Sequence, residues 1–339
     1  MTTAPKPADA QSLKAGGMIR QVEKDNFVVR LRVPGGNIQT DKMIRAAELA
    51  GKYGRGYCHF TFQQSIEIPY VEVSRLDELK AEMDKAGLRL ANCGPRVRAV
   101  TACQGCRINP YGLVDSPALA AEADERYFGI GTPAKFKVSY SGCPIGCANP
   151  QENDIGFHGM VDPQLIPELC NGCTLCVRLC KSRAGEALTM NEQTNLPEKD
   201  PSKCIFCGEC IYCCPTVAMK AKRTGHAVFI GGKHGRFPRW GNRIADFVSD
   251  TETFELIEKV STWYNKNAKR GERLGVAIDR LGQDRFKAEV LGDRFKTAIE
   301  WDIYGSRPAG VRYLPVQLGE GQAGAGGGRH RRPTGGAPR

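Results

Sequence analysis

Apolar and polar positions alternate through NFVVRLRVP (26–34), which predicts a strand with one buried face. DKMIRAAELAGKYG (41–54) then changes to a helical period and stops at Gly54. CHFTFQQSIEIPYV (58–71) is strand-like, and VSRLDELKAEMDKAGL (73–88) is an amphipathic helix closed by a glycine. These elements form a small α+β domain over 18–100, behind a flexible leader at 1–17. A second unit begins near 101, with a helix at SPALAAEADERYF (116–128) and a strand at KFKVSY (135–140). A cysteine-rich stretch at 163–223 interrupts it, and it resumes with HAVFIGG (226–232) as a strand and helices in 243–298. The second domain therefore comprises 101–162 and 224–310, with 163–223 as an insertion.

Composition narrows the chemistry. The 339 residues, 41% hydrophobic and 25% charged, suffice for more than one packed domain. Apolar runs are broken by charge within about eight residues, so no membrane span is expected. The first residues lack the apolar core of a secretory signal. A cytoplasmic protein is expected. There, fifteen cysteines argue for metal or redox chemistry rather than disulfides.

The net charge of +11 first suggests nucleic acid, but no aromatic–basic recognition motif accompanies it. Part of the excess lies in the glycine-rich segment 319–339, expected to be a disordered tail, with four arginines against one glutamate. An acidic cofactor accounts for the remainder better than DNA does.

The cysteines sort by spacing. Cys170, Cys173, Cys176 and Cys180 form one C-x2-C-x2-C-x3-C run, and Cys204, Cys207, Cys210 and Cys214 form another, ending in Pro215. This is the two-cluster bacterial ferredoxin pattern, in which three cysteines of one run and the fourth of the other hold each [4Fe–4S] cluster. It groups Cys170, Cys173, Cys176 and Cys214, and separately Cys180, Cys204, Cys207 and Cys210. Two full runs disfavour zinc knuckles. Lys181 stands where the first run would have a proline.

Two further pairs, Cys103 with Cys106 in TACQGCRINPYGLVDS and Cys143 with Cys147 in SGCPIGCANP, each follow a strand and lie in a glycine-containing turn. Four thiolates from two turns can complete a third [4Fe–4S] site. Cys58 and Cys93 read as small core residues, and Cys213 as a buried neighbour of a ligand.

These residues resemble the sirohaem-dependent nitrite and sulfite reductase family, over roughly 18–300. The family has paired cysteine turns with proline after the first cysteine of the second pair, as in Cys143-Pro144. VRLRVPGGNIQTDKMIRAAELAGKYGRG (29–56) resembles the start of its ferredoxin-like half-domain, and TFQQ (61–64) its T-x-R-Q strand. Arg98 stands five residues before Cys103, as the family's substrate arginine does. Lys135 and Lys137 match its lysine pair, and GGKHGR (231–236) its late glycine turn. The inserted ferredoxin run is most similar to that of the catalytic C subunit of anaerobic sulfite reductase.

The resemblance implies an α+β nitrite/sulfite reductase half-domain fold with an inserted 2[4Fe–4S] ferredoxin module. It also implies six-electron reduction of sulfite at a sirohaem that Cys147 couples to a [4Fe–4S] cluster, making three clusters in all. Arg98, Lys135 and Lys137 would bind and protonate the oxyanion. The polyanionic sirohaem would be met by Arg30, Arg32, Arg55, Thr61, Gln63, Gln64, Gly231, Gly232, Lys233 and Arg236. No G-x-G-x-x-G follows a strand, so an electron-donating flavin or iron–sulfur protein is expected as a partner. One half-domain also needs a partner copy, so an oligomer is expected.

The chain departs from the family at Cys103-x2-Cys106, where the family has C-x5-C, at Gln63, where it has arginine, and at Ile145, where asparagine is common. Nitrite reduction to ammonia, another tetrapyrrole-dependent reaction, and a non-catalytic iron–sulfur carrier or redox sensor stay open as alternatives.

Overall fold

The computed structural model describes residues 7–292. Its first element is a helix, α1 (Pro7–Ala15), where a flexible leader was expected. Leu13 packs on the N-terminal core, and that contact orders the segment. Strands β1 (Met18–Arg20) and β2 (Asn26–Leu31) follow, then helix α2 (Thr40–Tyr53). The 58–71 stretch divides into β3 (His59–Phe60) and β4 (Ile66–Glu72), because Thr61–Ser65 is a turn closed by the Thr61 hydroxyl on the Ser65 N–H at 3.0 Å.

The four strands pair antiparallel in the order β1-β2-β4-β3. Strict alternation along β2 buries Phe27, Val29 and Leu31 against Leu49 of α2 and Leu79 of α3 (Leu76–Lys85). This lobe has its own core.

The second lobe is a five-stranded mixed sheet, built on β5 (Thr101–Ala102), β6 (Val138–Ser141) and β7 (Ile155–Leu165). Helix α4 (Ser116–Tyr127), with Asp115 capping the Ala118 N–H at 3.0 Å, makes the crossover between the parallel strands β5 and β6. Lys135 and Lys137 lie just before β6 rather than within it, and Phe136 between them is fully buried.

After β7 comes a compact segment with α5 (Leu175–Arg183), a hairpin of β8 (Leu188–Asn191) and β9 (Leu196–Lys199), and the short α6 (Glu209–Tyr212). The chain returns on β10 (Met219–Ile230), which pairs with β7 from Met219↔Leu165 to Ile230↔Ile155. The insertion thus spans 166–218, a few residues less at each end than expected from sequence. The exposed, charged stretch Lys220–Thr224 hides the strand period there.

The region expected to be helical from 243 instead starts with β11 (Asn242–Val248) on the sheet edge. Only then come α7 (Asp250–Asn267), with a full capping box at Ser249 and Glu252, α8 (Leu274–Leu281) and α9 (Gln283–Val290). Their apolar faces cover the sheet around Tyr140, Phe157, Leu256 and Tyr264. The tail expected at 319–339, and the end of the second domain beyond 292, lie outside the described residues. Among the described residues no helix is long and apolar enough to cross a membrane.

Candidate functional site

Two cysteine turns meet at the end of the parallel strands. An added Cβ at Gly142 would stand 2.5 Å from the Gly105 Cα, so only glycine permits this approach. The contact brings the Gly142 N–H to 3.0 Å from Cys103 Sγ, and the Asn109 amide reaches Cys143 Sγ at 3.9 Å. Burial raises the thiol pKa of Cys106 and Cys147 and takes Cys143 up to about 12, and the charge of Cys103 adds to the rise in all three. The four thiols therefore form one electrostatic group. Without a metal Cys106, Cys143 and Cys147 favour the protonated state, and iron binding would release those protons. Such a donor set suits an iron–sulfur cluster.

Two hollows open inside the inserted segment. Cys170, Cys173, Cys176 and Cys214 line one. Cys180, Cys204, Cys207 and Cys210 line the other. These are the interleaved groups that spacing alone suggested. Burial raises the Cys176 thiol to about 11 and drives Cys207 and Cys210 higher still. Among the described residues, no three His, Cys, Asp or Glu side chains converge tightly enough to hold a single ion. Thiols set around a hollow suit a cluster, in which each ligand binds a different iron.

A third cavity, of about 210 Å³, lies where the two lobes meet, with four cationic side chains on its wall. Arg30 of β2, Gln63 of the β3–β4 turn, Arg98, Lys135 and Lys137 all line it. Burial lowers both lysine pKa values, bringing Lys137 to about 8, and the neighbouring cations lower them further. Asp154 fixes this arrangement from below. Fully buried, it accepts the Lys137 N–H at 2.9 Å and pairs with Arg273 at 2.7 Å.

Several expected cofactor contacts fall elsewhere. Arg32 is an inter-lobe tie, bound at 2.6 Å to the buried Asp124 and stacked 4.0 Å over Phe128. Arg55 is half-exposed, paired with Glu23 at 2.6 Å and stacked on Tyr70. Both guanidinium groups are occupied. Gln64 spends its amide on the Ala102 backbone, donating at 2.7 Å and accepting at 2.9 Å, so it locks the β3–β4 turn to the strand before Cys103. Gly231 and Gly232 admit backbone from their own chain, since a Cβ at Gly232 would stand 2.2 Å from the Gln151 carbonyl. Thr61 lines a neighbouring cavity together with Gln64 and Cys103. Arg236 is exposed and Lys233 half-exposed on the 231–239 loop, which reaches the β3–β4 turn where His234 stacks on Phe62 at 6.3 Å.

Sequence reasoning missed part of the wall, Asn92 and Cys93 among it. Cys93 is buried, as expected of a small core residue, and also borders the cavity, where it accepts from Arg30 Nη1 at 3.2 Å. Asn92, 5% exposed, lines the same wall. Their only sequence signal is adjacency to the Gly94-Pro95 turn before Arg98. Cys58 does pack on the N-terminal core, and Cys213 lies partly buried beside the ligand groups.

Comparison with known proteins agrees with this geometry. Residues 19–86 match the nitrite/sulfite reductase ferredoxin-like half domain, and residues 93–299 match the nitrite and sulphite reductase 4Fe-4S domain. The chain is 31% identical over 277 residues to the coenzyme F420-dependent sulfite reductase of Methanocaldococcus jannaschii, covering 81% of this chain and 44% of that one. It therefore spans less than half of that relative's length. It is 26% identical over 284 residues to the C subunit of the anaerobic sulfite reductase of Salmonella typhimurium, covering 78% of this chain and 83% of the relative. The fold matches that of dissimilatory sulfite reductase I with a TM-score of 0.66 at 18% identity, over 82% of this chain and 73% of the other. By its two matched domains and the arrangement of its thiols and cations, the chain belongs to the nitrite and sulphite reductase family of oxidoreductases.

Proposed function

We propose that this chain is the catalytic subunit of a sulfite reductase, reducing sulfite to sulfide. The observation that carries this reading is the convergence of Arg30, Arg98, Lys135 and Lys137 on one cavity, in a fold that also brings two cysteine turns together. Four cations around a small cavity suit a small oxyanion held in a polyanionic setting. Sirohaem would supply multi-electron chemistry at iron, coupled to a [4Fe–4S] cluster held by Cys103, Cys106, Cys143 and Cys147. Gln63 and Lys233 remain candidate cofactor contacts, whereas Arg30, which lines the cavity, is ion-paired with Glu67 at 2.7 Å. Arg98 and the lysines bind the anion, and the lysine ammonium groups deliver protons to the departing oxygens.

The inserted segment serves as a two-cluster ferredoxin module, bringing the total to three clusters. Cys143, Cys176, Cys180, Cys204, Cys207 and Cys210 belong to one buried apolar cluster that also holds Met160, Phe206 and Phe229. Tyr111, from the first cysteine turn, contacts Tyr212 of α6 edge-on with centroids 4.5 Å apart. This contiguity supports an electron relay from a separate donor protein. The exposed Phe60, Phe62, Phe237 and Trp240 suit burial in an oligomer.

Turnover with reduced viologen, measuring sulfide from sulfite and ammonia from nitrite, tests the proposal. Sulfide release supports it, whereas ammonia alone assigns the nitrite reaction. No turnover by protein that holds all its cofactors would indicate the carrier or sensor alternative.

A further inference from the structure

The two hollows of the inserted segment differ in what surrounds their thiols. In the first, Cys173 is exposed, Cys170 and Cys214 are half-buried, and Cys176 is buried. The described residues on its wall include no charged side chain, and the Thr216 hydroxyl stands 3.6 Å from Cys214 Sγ. In the second, Cys180, Cys204, Cys207 and Cys210 are all buried. Among the described residues, Lys199 and Glu209 are the charged ones on that wall. The Lys199 ammonium is paired with the buried Asp162 at 2.7 Å, so those two charges offset each other. Glu209 lies between Cys207 and Cys210 at the start of α6, and its side chain is 1% exposed. Arg183 pairs with it at 3.8 Å but is itself 43% exposed, so water screens the compensation. The pKa of the Cys207 thiol, raised chiefly by burial, is raised also by the charge of Glu209.

An added electron makes a thiolate-held cluster more negative. Solvent and hydrogen-bond donors stabilise that charge, whereas burial and a nearby carboxylate oppose it. In the second hollow, burial and Glu209 act together against reduction. The Ala187 N–H, donating to Cys180 Sγ at 3.2 Å, offsets part of this. In the first, solvent at Cys173 and the Thr216 hydroxyl at Cys214 favour the added charge. We propose that Glu209 makes the cluster of Cys180, Cys204, Cys207 and Cys210 the lower in potential, so that the cluster of Cys170, Cys173, Cys176 and Cys214 is reduced first. This rests on the reading of the inserted segment as a two-cluster ferredoxin module. Each cluster takes one electron from the separate donor protein, and no bond forms or breaks. The half-reduced module therefore holds its electron at the solvent-facing cluster.

Redox titration of anaerobic holo-protein with dithionite, followed by electron paramagnetic resonance, tests it, with iron and acid-labile sulfide measured on the same sample. The two clusters of the insert should reduce in separate steps. Glu209→Gln keeps the side-chain shape and the backbone N–H that Cys207 accepts. It should raise the lower step, so that the reduced-to-oxidised ratio at fixed potential grows about tenfold, which is about 59 mV for one electron. Thr216→Val should lower the upper step and leave the lower one in place. An unmoved lower step in Glu209→Gln would overturn the inference, and so would movement of the lower step by Thr216→Val. A single shared potential in the unmodified protein would overturn it without any variant, which covers a failure of Glu209→Gln to fold. With iron and sulfide for three clusters, each of these results leaves the ferredoxin module standing. Iron and sulfide for one cluster would remove the module, and the inference with it.

Discussion

The cavity between the lobes and the hollows in the inserted segment differ in what holds them open. The cavity's cations are positioned by the protein itself: Arg98 rests on two carbonyls, Lys137 on Asp154, and Asp154 on Arg273. The hollows are walled by thiols, of which Cys176, Cys180, Cys204, Cys207 and Cys210 are buried and have pKa values raised by that burial. A preorganised charge site keeps its shape when empty, whereas a thiol-lined hollow takes its stability from the metal that displaces the protons. The same molecule therefore combines a rigid site with a metal-dependent one.

Removing iron should break this comparison most visibly. With a chelator under reducing conditions, residues 166–218 should become sensitive to limited proteolysis, while the lobe over 19–86 stays resistant. A protease-resistant iron-free insert would show that its apolar packing suffices. Next in size is Arg98→Leu, which should lower sulfite turnover about 100–1000-fold with little change in melting temperature. A large fall in melting temperature would instead make Arg98 a structural residue.

Arg32→Leu and Arg55→Leu separate stability from cofactor binding. Breaking the buried Arg32–Asp124 pair should cost about 3–5 kcal/mol in denaturant unfolding. The exposed Arg55–Glu23 pair should cost less than about 1 kcal/mol. Cofactor content per folded chain should not change in either variant, and haem loss in Arg55→Leu would restore that residue to the cofactor site.

The smallest effect is a pH dependence. Lys137 has its pKa lowered to about 8, chiefly by burial and then by Lys135 and Arg273. It is charged below that value, so turnover that needs its ammonium should fall as pH rises through about 8. Stability runs the other way. The unfolded lysine holds its proton to a higher pH than the folded one, so folding gains between about 8 and the ordinary lysine value. Lys137→Met should remove the turnover step near 8, and an unchanged profile would assign the titration elsewhere.

The thiol groups were legible in sequence because their ligands are close together in short turns, and the spacing carries the geometry. The cationic cavity was legible only in part. It draws on segments near 30, 63, 92–98 and 135–137, and nothing local shows that they meet. Arg32 and Arg55 looked like cofactor contacts because a sequence displays their charge but hides Asp124 and Glu23, which take it up. The glycines at 231 and 232 signalled close approach correctly, but to the chain's own backbone. Asn92 and Cys93 gave no chemical signal until the fold placed them on the cavity wall. Residues 243–248 read as helical because the apolar period of α7 masked the edge strand before it.

The absorption spectrum of anaerobically purified protein, recorded before and after sulfite is added to the reduced sample, tests the central claim most directly. A red-shifted sirohaem band that responds to sulfite is the expected result. Cys147→Ser should remove the haem–cluster coupling but leave the clusters of the inserted segment. A broad iron–sulfur shoulder with no haem band, or coupling that survives in Cys147→Ser, would contradict the claim.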